Sequence, residues 1–486
     1  MIRRAARTLA LLGYFLLCVR FLYTTAAAAA SPLAFGVLAG GAGLAAAWSP
    51  LAAFEAFLVL LPLVFALGRA GMIGFGAPEM VVFACFSLVL IVRRLLWWRP
   101  GNGSAGEGID PTKGWEAWLL LAADLLAAWT LLSLLRWLPT LLGDPARLKA
   151  FGSQPVFGFS DRLFPVTDTL IWLMGWFFLR LLLVFDDGRR NRGSWATPDG
   201  GVGERCLLLS LLSWAVWTPV FFLIQICLNL PDRFTYETAF AAPTSMFNDP
   251  HSMGSVSAAL ALGLLAASAG LAVRARVGAA SLALGLLALV AVCYSRAAWL
   301  AACMGLVLFL FSVRPRLAVV FIGLVSCAAG AIAWRADDLL KLNWRYATRV
   351  VQFVRPGHLS DYHEARFEIY RRAPGMLAAH PLLGHGPGSS RVASEAFVAA
   401  GDRWGRDFMH NTVLQAAVEQ GIPAGVLFAA LLLLPLALAA RRWRKVCEDP
   451  VALGSSVALF TYLITQMSSN SLNVYLDQQL FYWSLT

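Results

Sequence analysis

Charge is the scarcest feature of this 486-residue chain. Only 14% of its residues are Asp, Glu, Lys or Arg, against 59% hydrophobic. Soluble domains carry about 25% charged residues, so a water-soluble globular fold is excluded. Metal-binding signatures are missing as well: the sequence has no HExxH, no paired-Asp motif of the DxD type and no CxxC among its eight cysteines. Most of those cysteines lie within apolar runs and read as small buried thiols rather than disulfides or zinc ligands. No P-loop ending in GKS or GKT and no soluble nucleotide-binding domain is present, which speaks against ATP or a nucleotide sugar as reactant. No basic stripe interleaved with aromatics suggests nucleic acid.

Apolar runs near twenty residues fill most of the space that charge leaves. They lie at about 8–26, 31–48, 51–68, 78–97, 115–136, 165–186, 205–230, 252–273, 278–294, 296–313, 317–334, 411–440 and 452–468, with a final span or partial span at 472–486. The length matches what a helix needs to cross a bilayer. The expected fold is an all-α polytopic membrane protein with about 12 to 14 transmembrane helices. The start, "MIRRAARTLALLGYFLLCV", is expected to be a retained first helix, since no small-residue cleavage site follows cleanly.

The net charge of +11 comes from Lys/Arg clusters in short loops, at 3–7, 93–113, 189–205, 274–276, 314–316 and 441–445. The positive-inside rule makes these loops cytoplasmic. Segment 335–410 then falls on the opposite side. Three parts are expected: a helix bundle at 1–334, an external loop at 335–410 and C-terminal helices at 411–486. The loop spans about 76 residues and holds five of the six histidines, His358, His363, His380, His385 and His410, with eleven Lys/Arg against eight Asp/Glu. So long a connection is usually functional or disordered. Its aromatics and helical patterning predict a folded segment, and its basic character predicts an anionic ligand.

His410 stands where this loop meets an apolar run. Asn411 suits the N-cap of the helix that follows. The partial positive charge of that helix end, with nearby arginines, favours the neutral ring a general base requires; an ordinary interfacial hydrogen bond is the plainer alternative. Arg296 lies between two apolar runs with almost no loop, so its guanidinium either faces a partner such as phosphate or snorkels. Arg366 shares a helix face with Tyr370, Glu364 with Glu368, and Arg371 and Arg372 follow; a solvated face is the alternative. Glu419 reads as a buried carboxylate, either functional or paired with a structural arginine. The turn "LLGHGPGSS" could offer backbone N–H groups to an anion. Asn248 or Asp249, beside His251, could cap another helix.

Three stretches, "YSRAAWLA" at 294–301, "EARFEIYRRAPGMLAAHPLLGHGPGSS" at 364–390 and "HNTVLQAAVEQGIPAGVL" at 410–427, together resemble the O-antigen ligase and polymerase superfamily. The resemblance implies a glycosyltransferase of GT-C architecture that needs no metal or other cofactor. It implies an undecaprenyl-pyrophosphate-linked polysaccharide as donor, lipid A–core oligosaccharide as acceptor, and a site on the periplasmic face of a bacterial inner membrane. It also implies that Arg296 and Arg366 bind the pyrophosphate and that His410 acts on the acceptor hydroxyl, with Asn411, Glu419, Arg371 and Arg372 in support. His385 and Pro387 fall within the glycine turn, so that turn is assigned no catalytic role. The rival readings are an O-antigen polymerase, a protein ligase, and a lipid-linked oligosaccharide flippase. A flippase predicts charge deep within the spans, and Arg180, Arg296 and Glu419 are nearly all there is; Arg180 can snorkel.

Overall fold

The computed structural model describes residues 2–29, 31–69, 78–97, 115–137, 164–190, 202–227, 247, 250–293, 295–341, 345–354, 361–399, 408–469, 471–474 and 476–485. His358, Asn248 and Asp249 lie outside the described residues, as does most of the loops around 98–114, 137–164 and 230–251. All regular structure among the described residues is helical, with no strand. Among the described residues, eight helices are long and apolar enough to cross a membrane, and four further apolar helices are shorter. The protein is therefore an all-α, multi-pass membrane protein.

The N-terminal helices are α1 Ile2–Ala28, α2 Pro32–Trp48, α3 Pro50–Arg69, α4 Pro78–Trp97, α5 Trp115–Leu134, α6 Phe164–Arg190 and α7 Val202–Cys227. Next come α8 Pro250–Ala267, α9 Val273–Val292, α10 Arg296–Val313 and α11 Pro315–Trp334. Abrupt turns between spans are made by caps. The Ser31 and Ser295 side chains accept from Ala34 N and Ala298 N, each at 3.3 Å, and Asp449 accepts from Val451 N at 2.9 Å. A proline follows directly at positions 32 and 450, where its missing N–H costs nothing.

The segment after α11 carries the helices α12 Ala336–Lys341, α13 Arg345–Val354, α14 Asp361–Ala379 and α15 Ser390–Ala393, with a turn at 380–389 between the last two. It is followed by α16 Thr412–Gln420, α17 Ile422–Arg441, α18 Trp443–Glu448, α19 Pro450–Gln466, α20 Ser471–Val474 and α21 Leu476–Leu485.

Helices α8 and α19 pack with small residues in contact, the backbone of Gly263 lying against Gly454 and Ala458. Close approach of this kind is how helices associate in lipid, where apolar burial alone gives no drive. Gly263 is near the end of α8 and Gly454 near the start of α19, so the two run antiparallel. The start of α8 and the end of α19 therefore share one end of the bundle. Gly254 abuts Cys293 and Ala298, which brings the start of α10 to that end as well.

Two details differ from the sequence expectation and one settles an alternative it left open. The run 411–440 is not one span: it breaks at Gly421 into α16 and α17. The entry of α16 is tied to the end of α19, with Asn411 Nδ2 donating to Met467 O at 3.1 Å and Thr412 Oγ1 to Gln466 Oε1 at 3.2 Å. Its exit is tied to the end of α5, with Thr130 Oγ1 donating to Gln420 Oε1 at 2.7 Å and Trp129 Nε1 to Gln420 O at 2.9 Å. α16 thus bridges two spans across one end of the bundle, roughly 13 Å from tip to tip at 1.5 Å per residue. Second, of the two alternatives for the last apolar stretch, a span or a partial span, the structure has the partial one. α21 has ten residues, about 15 Å of helix against a 30 Å hydrocarbon core. It is buried, with Leu480 and Phe481 fully enclosed. Third, Arg180 does not snorkel. It pairs with the fully buried Asp124, which also accepts from Trp176 Nε1 at 3.0 Å.

Candidate active site at one end of the bundle

Glu419 organises the turn that carries "LLGHGPGSS". It is fully buried, and no arginine pairs with it among the described residues. Its carboxyl instead accepts from Gly388 N at 3.1 Å, Ser390 N at 3.4 Å and Gln415 Nε2 at 3.0 Å. Two of the backbone N–H groups that the sequence offered to an outside anion are therefore taken by the protein's own carboxyl. Main-chain bonds lock the same contact, from His385 N to Val418 O at 3.0 Å and Gly386 N to Glu419 O at 2.7 Å. Gly384 allows the approach: at φ +62° its missing Cβ would sit 2.4 Å from the Glu419 carbonyl carbon. Helix α5 clamps the other side, with Ser133 Oγ donating to Leu383 O at 2.6 Å and Trp137 Nε1 to Pro387 O at 3.0 Å.

Burial pushes the Glu419 carboxyl up to about 7, although the donors from Ser390, Gly388 and Gln415 pull the other way. Asp168, in the second turn of α6, is buried within reach of its charge, and its Oδ2 has no hydrogen-bond partner among the described residues. A carboxyl whose folded value lies above its unfolded one stabilises the fold fully at acid pH. That contribution is lost as pH rises through the folded value. The apparent Tm of the wild type in detergent is therefore expected to fall between about pH 5 and pH 8. Glu419→Gln keeps the shape but not the proton and should flatten that slope. Equal slopes for the two proteins would remove the assignment.

His410 is the non-glycine residue with a positive φ among those described, at 46°. Such a backbone costs about 1–3 kcal/mol for a residue with a Cβ and persists where surrounding contacts enforce it. Here Met409 before it is buried in a small core with Ile369, Ala373, Met376 and Val418. Asn411 after it caps α16, accepting from Leu414 N at 2.9 Å, as the sequence predicted. Tyr370 Oη donates to the His410 carbonyl at 3.1 Å. The ring is thus held half-buried on a kink at the entry of α16.

Arg366 lies one helical turn before Tyr370 on α14 and is half-buried. The helix that fixes His410 therefore also carries Arg366 on the same face. The following arginines diverge. Arg371 is exposed, whereas Arg372 is buried with Glu368 at 4.0 Å. Arg372 thus has a structural partner, and Arg371 faces away from that core.

Arg296 is the first residue of α10, half-buried, directly after the capping Ser295. The Ser295 hydroxyl is 2.9 Å from His251 Nδ1, on the first turn of α8. His251, beside the candidate caps Asn248 and Asp249, braces the turn that presents Arg296. Since the starts of α8 and α10, the end of α19 and the entry of α16 share one end of the bundle, Arg296, Arg366 and His410 are all displayed there. Sequence reasoning missed His251–Ser295, Asp168 and the Tyr370 contact. Tyr370 alone had a signal, its four-residue spacing from Arg366.

Fold and site together define a multi-pass helical membrane protein that gathers basic side chains and a strained histidine at one end of its bundle. Residues 279–429, which contain all seven candidate residues, match the family model described as O-antigen ligase. That segment of the chain is thus similar to the O-antigen ligase family, and the match supports a place in the O-antigen ligase/polymerase superfamily. A comparison with curated proteins finds no match.

Proposed function

We propose that the protein is an O-antigen ligase. In this reading it transfers polysaccharide from undecaprenyl pyrophosphate to lipid A–core oligosaccharide, at the periplasmic face of the inner membrane. The observation that carries the reading is His410, held at φ 46° by the hydroxyl of Tyr370 on the helix that bears Arg366. Strain enforced by surrounding contacts is typical of residues whose aim matters.

The chemistry is an inverting displacement. The acceptor hydroxyl oxygen bonds to the anomeric carbon as the bond from that carbon to the pyrophosphate oxygen breaks. His410 takes the hydroxyl proton, and undecaprenyl pyrophosphate leaves with the electron pair. Arg296 and Arg366 carry the charge that develops on the leaving group, as bidentate guanidinium forks do on phosphate. Those two forks are the reason the reading calls for neither a metal nor a general acid. Asn411 fixes the helix entry, and Glu419 the turn behind it. Within the same superfamily, a polymerase would use a second lipid-linked chain as acceptor.

Purified protein given lipid-linked O-polysaccharide and lipid A–core should attach polysaccharide to core. Chain extension without attachment would move the protein to the polymerase reading. Arg296→Ala and Arg366→Ala are each expected to weaken binding of undecaprenyl pyrophosphate. A hydrogen bond to a charged group contributes about 1.5–3 kcal/mol, roughly 10- to 100-fold in affinity. Titration of the donor lipid in nanodiscs measures this, and unchanged affinity in both variants counts against pyrophosphate recognition.

A further inference from the structure

A second basic cluster lies at the far tip of α16 from His410. Arg136, just past the end of α5, places Nη2 3.0 Å from both ring nitrogens of His380. The His380 ring packs edge-on against His385, with centroids 4.6 Å apart. His385 Nε2 is anchored 3.0 Å from Met376 O. The catalytic reading uses none of these three residues.

Three observations give the cluster a ligand chemistry. First, Arg136 is exposed and makes no ion pair among the described residues; its neighbour is an imidazole, which cannot neutralise it. Burial and the guanidinium of Arg136 hold the His380 ring below its ordinary value, and burial, His380 and Arg136 do so for His385. An incoming oxyanion would add the negative charge that no carboxylate supplies to Arg136 among the described residues. Second, the parts are held in place. Trp137, the next residue, is buried and bonded to Pro387 O, while the turn behind His380 is locked to α16. An arginine fork on a fixed support is suited to phosphate oxygens. Third, the exposed residues around it are apolar: Leu132 is 38% exposed, Leu135 53% and Leu382 65%. The exposed arginine closing an apolar helix of this length stands at the level of lipid headgroups.

We infer that Arg136 and His380, the latter braced by His385, form a binding site for a phosphate group, borne by a lipid whose chains lie along Leu132, Leu135 and Leu382. The site is separate from the transfer site and does not depend on the glycosyl-transfer reading.

Native mass spectrometry of the full-length protein from a non-ionic detergent provides the test. Three probes are added: phosphatidylglycerol, a diacylglycerol with the same chains, and inorganic phosphate. The wild type is expected to retain one phosphatidylglycerol more than Arg136→Gln and His380→Gln, with affinity at least about tenfold higher. Diacylglycerol should not discriminate among the three proteins. Competition by inorganic phosphate would show that the phosphate alone suffices; its failure to compete, with lipid retention still lost in the variants, would show that the lipid-borne form is required. Equal retention of phosphatidylglycerol by all three proteins overturns the proposal, as does an equal loss of diacylglycerol in the variants. Arg136→Lys guards against misfolding: it keeps the charge without the fork, and its retention should fall between those of the wild type and Arg136→Gln.

Discussion

His410→Ala should express and insert normally yet lose 10²- to 10⁴-fold in polysaccharide transfer, roughly the contribution of a positioned base. The same substitution should leave donor binding close to wild type, because the pyrophosphate is assigned to Arg296 and Arg366. It also relieves none of the local strain, since alanine at φ 46° is no more comfortable than histidine. His410→Gly is therefore informative beside it. Glycine removes the backbone cost, so this variant should be as stable as the wild type or more so, and as inactive as alanine. A stable, inactive glycine variant ties the strain to the aim of the ring. Tyr370→Phe probes the same device from outside: loss of the 3.1 Å bond to the His410 carbonyl should lower turnover while leaving donor affinity unchanged. Full activity in His410→Ala, with normal amounts of folded protein, would refute the base role.

The bundle was legible because its signal is the one physics makes strongest in a sequence: runs long enough to span lipid, broken by Ser-Pro, Asp-Pro and basic turns. The cap at Asn411 follows from a short polar side chain before an apolar run. What could not be read depends on contacts between segments far apart in the chain. Glu419 offered two partners, an arginine or a functional role, and the turn at 382–390 offered N–H groups to an unspecified anion. Each was the other's answer, 29 and 31 residues apart, and no periodicity carries that pairing. Arg180 found Asp124 across 56 residues in the same way. His251 lay in a stretch scored for capping, and its bond to Ser295 crosses from α8 to α10. The break at Gly421 did have a local sign. Gly-Ile-Pro places a residue tolerant of positive φ two before a proline suited to a helix start. A continuous apolar run of thirty residues outweighed it.

That break supports the second large expectation. Gly421→Ala should cost the fold more than removal of any single polar contact at the site. Gly421 sits at φ 91°, ψ 164°, a region open essentially to glycine alone. Its missing Cβ would lie 1.8 Å from Leu382 O and 2.3 Å from the Leu382 carbonyl carbon, backbone atoms that no rotamer change can move. To fit, the turn must withdraw from α16. That withdrawal breaks the bond from Ile422 N to Pro381 O at 2.8 Å and loosens Trp129 Nε1, which bonds both Leu382 O and Gln420 O. Backbone strain of about 1–3 kcal/mol and buried N–H groups left unmet at about 1–3 kcal/mol each together exceed about 3 kcal/mol, at the severe end for one substitution. The expected result is a sharp drop in folded protein recovered in detergent, and in the surviving fraction a lower apparent Tm with the 380–390 turn open to protease. Glu419→Gln, which leaves the backbone contact intact, should be much milder. If Gly421→Ala melted with the wild type, α16 and α17 would have to be a single continuous helix, and the bridge that displays His410 at the end of the bundle would not exist.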